Sequence, residues 1–465
     1  MANLCSLFKR FFQKSQRNTG QDPEGNNVTA STVEHPSQSD TKDETRKTDP
    51  PELQLKMSKP TKEIQQPLIR SAGRNTSSTL TILLSNQTTS NTVYAFITGL
   101  ATVEVNGASQ TVFALIKSDG QSVYYPANPS AIGSPLQANC AIPLGSPGQT
   151  IACAIPQLAG GRIWFSINEP LTFLLNPGST GAALVEPSVT NPSDPNINIQ
   201  WDFCEFTFND SQLYANISYV DFVSIPIGLE LTNSSNAKQT VAGMPSTGLS
   251  RVSSALQAQT AADGVQGWTN CIVEYSGSVL RILSPNQDMV FRPNDFANYF
   301  ESYVQSVWSH YSSSPLSINA GGVTTSGEVA TSGATSNQLV LENGNECFSA
   351  PTTADIFSCS TGPFATGSDP TRNAIIPLLA AAFNRTTLLA TNAIPSPLST
   401  FYTSTVTNHY ARIVHSVNAD GRGYAFPYDD VNPSDAGDQS GAVNDPNPVT
   451  LLVTVGGGQL QSVSA

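Results

Sequence analysis

At 465 residues the chain exceeds one compact core by the usual domain scale, and two lobes plus a tail are expected. Only 12% of residues are charged, against 33 Gly and 32 Pro, which points to a β-rich protein of secreted character rather than a helical cytosolic enzyme. Residues 1–78 hold 12 of the 22 Lys+Arg but only 9 of the 35 Asp+Glu, so the net charge of −13 is concentrated beyond them, where Lys117 and Lys238 are the only lysines. Nucleic acid, which needs a basic track, is excluded as a partner, whereas a neutral polymer is not.

The first 17 residues lack an uninterrupted apolar core, because Lys9 and Arg10 split it. A cleavable signal needs about 7–15 apolar residues in a row, so no clear signal peptide is read here. A short amphipathic membrane-surface helix and a misassigned first exon both remain open. Residues 18–78 are polar, charge-mixed and aperiodic, and 1–78 is taken as a disordered tail. No later segment is long and apolar enough to span a bilayer.

The fold is expected over 79–458. From Thr79 two apolar runs flank a polar turn, and FALIKSDGQSVYYP forms a hairpin around Asp119-Gly120. RIWFSI and LTFLLN follow as short strands, giving a β lobe over about 79–245 with a terminal strand near 449–455. The remainder, about 246–448, reads as a mixed α/β lobe. Ser250–Asp263 carries Ala and Gln at helical spacing. After Pro293, residues Phe296, Tyr299, Phe300, Tyr303, Val304, Val307, Trp308 and Tyr311 recur at helical intervals, a stripe that belongs to a core rather than to a sugar platform. Asn319–Ser336 reads as a loop, and Asn373–Phe383 and Val406–Val417 as helices.

Six cysteines fall beyond residue 78, at 140, 153, 204, 271, 347 and 359. An even number without CxxC spacing favours disulfides over zinc, with Cys140–Cys153 and Cys347–Cys359 able to close short loops. Glycosylation triplets begin at Asn86, Asn209, Asn216, Asn233 and Asn384, a weak signal in so polar a chain.

Candidate chemistry concentrates in Trp201–Leu231. Phe206 and Phe208 alternate with Glu205, Thr207 and Asn209, a strand with one polar face. If Asp210-Ser211 form the turn, the returning strand places Asn216 opposite Glu205. The apolar phase then slips after Ile217, and a one-residue bulge near Ser218–Tyr219 would bring Asp221 to the Glu205 face. Four pair positions separate the two acids, roughly 13 Å at about 3.3 Å per residue. Leaning side chains could shorten that to the roughly 6.5–9.5 Å of an inverting glycosidase. On the residues alone, a structural role for both acids is as open as a catalytic one.

The segment EFTFN…LYANISYVDFVSIPIGLEL resembles the signature of glycoside hydrolase family 64, the thaumatin-like β-1,3-glucanases that release laminaripentaose. The resemblance extends to WFSINEPLTFLLNPG, ALVEPSVTNPSDPN and GRGYAFPYDDV. It implies a β-rich α+β fold, with a thaumatin-like β-barrel or sandwich lobe, a mixed α/β lobe and a wide groove between them. It further implies Glu205 as general acid and Asp221 as general base, acting on β-1,3-glucan as a monomer, outside the cell or in its wall, with short laminari-oligosaccharides such as the pentasaccharide as products. Thr207, Asn209 and Tyr214, on the polar face, are expected to bind sugar, and Asp194 and Asp430 to line the groove. No cofactor or metal is expected: His409 and His415 lack HExxH spacing, and no GxSxG elbow or phosphate loop occurs. The rival reading is a wall protein that binds glucan on the same scaffold without hydrolysing it.

Overall fold

The apolar runs at the two ends of the domain find each other. In the computed structural model, which describes residues 79–457 apart from 106, 322–323 and 343–345, Thr79–Asn86 pairs in parallel with Pro448–Val455 and antiparallel with Thr150–Pro156. Ile227–Asn233 and Lys238–Val241 complete a five-stranded sheet on the other side of Pro448–Val455. The tail read from 1–78, with its first 17 residues, lies outside the described residues.

A second sheet of eight strands runs in the order 442–445, 213–217, 200–208, 158–167, 93–105, 108–116 and 123–124, with 142–143 on a side branch. It is open at both edges, so the barrel anticipated as one form of the β lobe does not close among the described residues. Successive side chains of a strand point to opposite faces. One face of the eight-stranded sheet carries Ile97, Ile163, Phe165, Cys204, Phe206 and Ala215, which share an apolar cluster with Ile82, Leu84, Leu229 and Val453 of the five-stranded sheet. The opposite face holds a second cluster built on Phe96, Trp164, Trp201 and Phe203.

Seven α-helices among the described residues complete a β-rich α+β fold. The Ala/Gln segment is helical over Gly248–Asp263 and stops at Gly264, whose φ of +76° suits a left-handed cap. Asp369 and Asn408 cap the helices Pro370–Arg385 and His409–Val417 by accepting backbone N–H bonds. The aromatic stripe is core as expected, with Phe296, Phe300 and Tyr311 at most 1% exposed. Its helix, however, covers only Glu301–Tyr311. Asn298 adopts φ +60° and breaks the preceding turns, although those turns continue the same buried face. The polar 319–336 stretch is not all loop either: Thr324–Val329 pairs with Leu316–Asn319 and Gln338–Leu341. No helix among the described residues is long and apolar enough to cross a membrane.

The expected disulfides are absent among the described residues, where neither Cys140–Cys153 nor Cys347–Cys359 is bridged. Cys140 packs in the aromatic cluster and Cys153 in the larger one, so their short separation in sequence does not bring the thiols together. Burial pushes both thiols up to about 11. Three of the glycosylation triplets begin at buried asparagines, Asn86, Asn216 and Asn384.

A buried charge cluster ties the last helix to the GRGYAFPYDD segment. Arg385 donates to Asp429 at 3.0 Å, and His415 meets the other Asp429 oxygen at 2.9 Å. The remaining His415 nitrogen faces the Gly421 carbonyl at 2.9 Å. Burial alone would discharge His415, but Asp429 and then the Gly421 carbonyl outweigh it and raise its pKa. Burial opposes the Asp429 charge too, yet His415 and Arg385 hold its pKa down. The His415 contribution is therefore complete below its ordinary value of 6.5 and is lost as pH rises through the raised folded value. The Asp429 contribution is complete above 3.8 and is lost as pH falls through the lowered folded value. Melting curves taken as pH rises above 6.5 should show a loss of stability that His415→Gln lacks. Asp429→Asn, which leaves the buried Arg385 guanidinium without its anion, should cost about 3–5 kcal/mol in denaturant unfolding at neutral pH.

Candidate active site

Glu205 lies in Gln200–Phe208, an interior strand of the eight-stranded sheet flanked by Leu158–Ile167 and Leu213–Ile217. The hairpin register is the expected one, with Glu205 opposite Asn216 and Thr207 opposite Tyr214. Asn209 closes the turn by accepting N–H bonds from Ser211 and Gln212 on its Oδ1. On the other side Glu205 faces Arg162, so guanidinium, carboxyl and amide form one row across three strands. One row along, Trp164 faces Phe203 with ring centroids 5.0 Å apart.

The bulge lies elsewhere than expected. Leu158–Gly161 carries one residue more than either neighbouring strand, beside Phe206/Phe208 on one side and Thr98/Leu100 on the other. Gly161 is required there, since a Cβ would come within 2.5 Å of the Phe206 ring. Gly160 donates its N–H to the Thr207 hydroxyl at 3.1 Å. Near Ser218 the chain instead leaves the sheet. Ser218 bridges Tyr424, and Phe222–Val223 pairs with Ser278–Leu283 in a separate small sheet. Asp221 is thus brought to the site by a change of sheet.

Arg162 binds two carboxylates. Its NH1 donates to Glu186 and its Nε to Glu205 at 3.4 Å, while the guanidinium carbon sits 5.0 Å from the Phe203 ring centre and 5.3 Å from that of Trp164. Asn216 donates to the other Glu205 oxygen at 3.4 Å. Burial raises the Glu205 pKa, Arg162 and the Asn216 amide pull it down, and Asp221 adds to the rise. The net direction is upward. Burial also raises the pKa of Asp221, against the Gln287 amide and Arg162.

Asp221 is held from a third element. Gln287 of helix Pro285–Phe291 donates to its Oδ1 at 2.6 Å, and the backbone N–H of Ser284, which caps that helix, donates to the Asp221 carbonyl at 2.8 Å. Asp202, three residues before Glu205 and on the opposite face, reinforces this. One of its oxygens accepts the N–H groups of Ser224 and Ile225 at 2.8 and 2.9 Å, and the other accepts that of Phe203. Burial pushes Asp202 up to about 7 against these donors and the nearby Arg281 charge. One buried carboxylate therefore ties the Glu205 strand to the Asp221 segment.

Of the other expected site residues, Thr207 and Tyr214 share the Glu205 face one row along, with Thr207 engaged by the bulge. Asn209 organises its own turn. Asp194 is buried within its loop, where it accepts the N–H groups of Ser188 and Asn196 and the Asn196 side-chain amide. Asp430 is half-buried beside Asp429, in the segment whose Tyr424 flanks the hairpin exit. The sequence reading missed Arg162, Glu186, Gln287 and Asp202. Arg162 and Asp202 left a signal, as charges inside apolar strands, but their partners depend on a register that no local pattern reveals. Among the described residues no three His, Cys, Asp or Glu side chains are grouped to hold a metal ion.

The family model of glycoside hydrolase family 64, described as β-1,3-glucanase, matches residues 78–455. The chain belongs to this family. Curated relatives include glucan endo-1,3-β-glucosidases of Arthrobacter sp. (strain YCWD3) and Cellulosimicrobium cellulans, each 28% identical over 315 residues, 66% of this chain and 53% of theirs. The chain thus spans about half the length of these relatives. Among solved structures, a laminaripentaose-producing β-1,3-glucanase in complex with laminaritetraose is 30% identical at a TM-score of 0.68, covering 81% of this chain and 98% of that one. A family 64 domain from Clostridium beijerinckii shares the fold at 22% identity and a TM-score of 0.60, covering 84% of this chain and all of that one.

The Asp202 tie generates a prediction. Asp202→Ala should leave buried N–H groups without an acceptor, at about 1–3 kcal/mol each. For the two N–H groups of Ser224 and Ile225, equilibrium unfolding should show a loss of about 2–6 kcal/mol; a loss under about 0.5 kcal/mol, the range of neutral surface changes, would mean the tie is not used.

Proposed function

We propose that the chain hydrolyses β-1,3-glucan with inversion at the anomeric carbon, Glu205 acting as general acid and Asp221 as general base. One observation carries the reading: in a chain of this family, a buried carboxyl of raised pKa and a second carboxylate converge from separate elements beside an aromatic cluster. A general acid must hold its proton near working pH, and burial favours that in Glu205. Asp221 has one oxygen fixed by Gln287, leaving the other to take a proton from water. Arg162 and Asn216 orient Glu205, so the acids are held by separate partners and not by each other. This arrangement suits an inverting pair with a water between.

The substrate is carried over from the relatives, whose names specify glucan endo-1,3-β-glucosidase, and from the laminaritetraose-bound structure. Short laminari-oligosaccharides such as the pentasaccharide are the proposed products. A thaumatin-like β lobe and a mixed lobe would frame a wide groove, with Thr207, Asn209 and Tyr214 on its polar face and Asp194 and Asp430 supporting its walls. Action as a monomer outside the cell, on wall glucan, belongs to the same proposal.

Glu205→Gln and Asp221→Asn should each lower turnover on laminarin at least about a hundredfold while insoluble glucan is still bound. Binding of curdlan with no release of sugar by the native chain would establish the binding-only rival instead. For an inverting enzyme, proton NMR in the first minutes of digestion should show the α-anomer at the new reducing end. Early β-anomer would require a covalent intermediate and a different assignment of the two acids.

A further inference from the structure

Glu186 follows the short strand Ala183–Val185, in the ALVEPSVTNPSDPN segment, and the mechanism above gives it no task. Its carboxylate meets the same guanidinium that touches Glu205, and both acids are mostly buried, at 24% and 13% side-chain exposure. This juxtaposition answers a difficulty. A lone arginine beside Glu205 would favour the ionised carboxylate and lower its pKa by about 1–3 units, the wrong direction for an acid. Arg162 makes its closer contact with Glu186 and the looser one, 3.4 Å, with Glu205.

We propose that Glu186 is a positioning countercharge that engages Arg162 and so leaves Glu205 able to carry the proton it delivers. This inference rests on the general-acid reading of Glu205. The other groups facing Glu205 are Arg162 from the neighbouring strand, Asn216 and, one row along, Tyr214 from the hairpin partner, and Asp221 from the segment beyond. Asp202 lies on the opposite face of the strand. Glu186 is the member of this set whose removal leaves the Arg162 charge less compensated without touching the proposed acid or base. The cation itself is held in place by the faces of Trp164 and Phe203.

The test is the pH dependence of kcat on laminarin, whose alkaline limb reports loss of the proton from the acid in the enzyme–substrate complex. Glu186→Gln should move that limb about one pH unit toward acid, and Glu186→Asp, which keeps the charge, should return it toward the native position. Arg162→Gln should move the limb the other way. Adding Glu186→Gln to Arg162→Gln should then have little further effect, because the countercharge acts through the arginine. An unmoved limb in folded Glu186→Gln overturns the proposal, as does an undiminished shift in the Arg162→Gln background. Should Glu186→Gln fail to fold, an unmoved limb in Arg162→Gln overturns it equally. Glu205→Gln, run in parallel, separates the two levels. If it retains turnover the acid assignment itself fails, whereas if it is inactive and the Glu186 limb stays fixed, only the countercharge falls.

Discussion

One rung of the eight-stranded sheet sets Arg162, Glu205 and Asn216 side by side, and most of the site is arranged around the cost of burying them there. Removing an ion from water is expensive unless partners replace the lost hydration. Here the partners come from four places: Glu186 from a loop, Asn216 from the hairpin, the faces of Trp164 and Phe203 from the rows behind, and Asp221 from across the site. The aromatic floor is part of this electrostatic arrangement as well as of packing. It keeps water away on one side, so the charges interact in a medium where Coulomb energies are larger than in solution. A more polar floor would solvate Glu205 and return its pKa toward that of an exposed carboxyl.

The strand that bears Glu205 does two jobs on its two faces. Cys204, Phe206 and Phe208 point into the cluster shared with the five-stranded sheet, and this fixes the register of the hairpin, because a one-residue slip would exchange every side chain with the opposite face. Asp202 also points that way, yet its oxygens reach the backbone of residues 224 and 225. The core-facing side of the strand thus positions the segment bearing Asp221, while the other side presents Glu205. Packing and site geometry are linked through a single strand.

Much of this was legible in the sequence. The alternation around Glu205 and the turn at Asp210-Ser211 were enough for the pairing of Glu205 with Asn216. The aromatic stripe from Phe296 to Tyr311 was legible as core because helical spacing alone places such residues on one face. The slip in phase after Ile217 was visible, but its cause was not. A bulge and a departure from the sheet produce the same local pattern, and only the partner strand, Ser278–Leu283, distinguishes them. The actual bulge, at Leu158–Gly161, left paired glycines as its trace, which fit a turn equally well. Arg162, Glu186 and Gln287 were illegible as a group because they come from widely separated segments. The cysteines misled because an even number is evidence of pairing only where the side chains can meet, and Cys140 and Cys153 lie in different clusters.

The same reasoning explains why the chain ends matter to a site far from them in sequence. The five-stranded sheet needs both Thr79–Asn86 and Pro448–Val455, which pair over six residues in parallel. That sheet supplies the opposite wall of the cluster into which Phe206 and Cys204 pack. At the hairpin exit, Tyr219 donates its N–H to the Tyr424 carbonyl at 2.7 Å and accepts the Tyr410 hydroxyl on its own carbonyl at 2.6 Å. Tyr410 belongs to the helix whose His415 is locked to Asp429, in the segment containing Tyr424. The path into Asp221 is therefore clamped by elements more than 180 residues later in the chain. Its position depends on long-range closure of the whole domain, which is why neither half of the chain could be expected to hold the two carboxylates in place by itself.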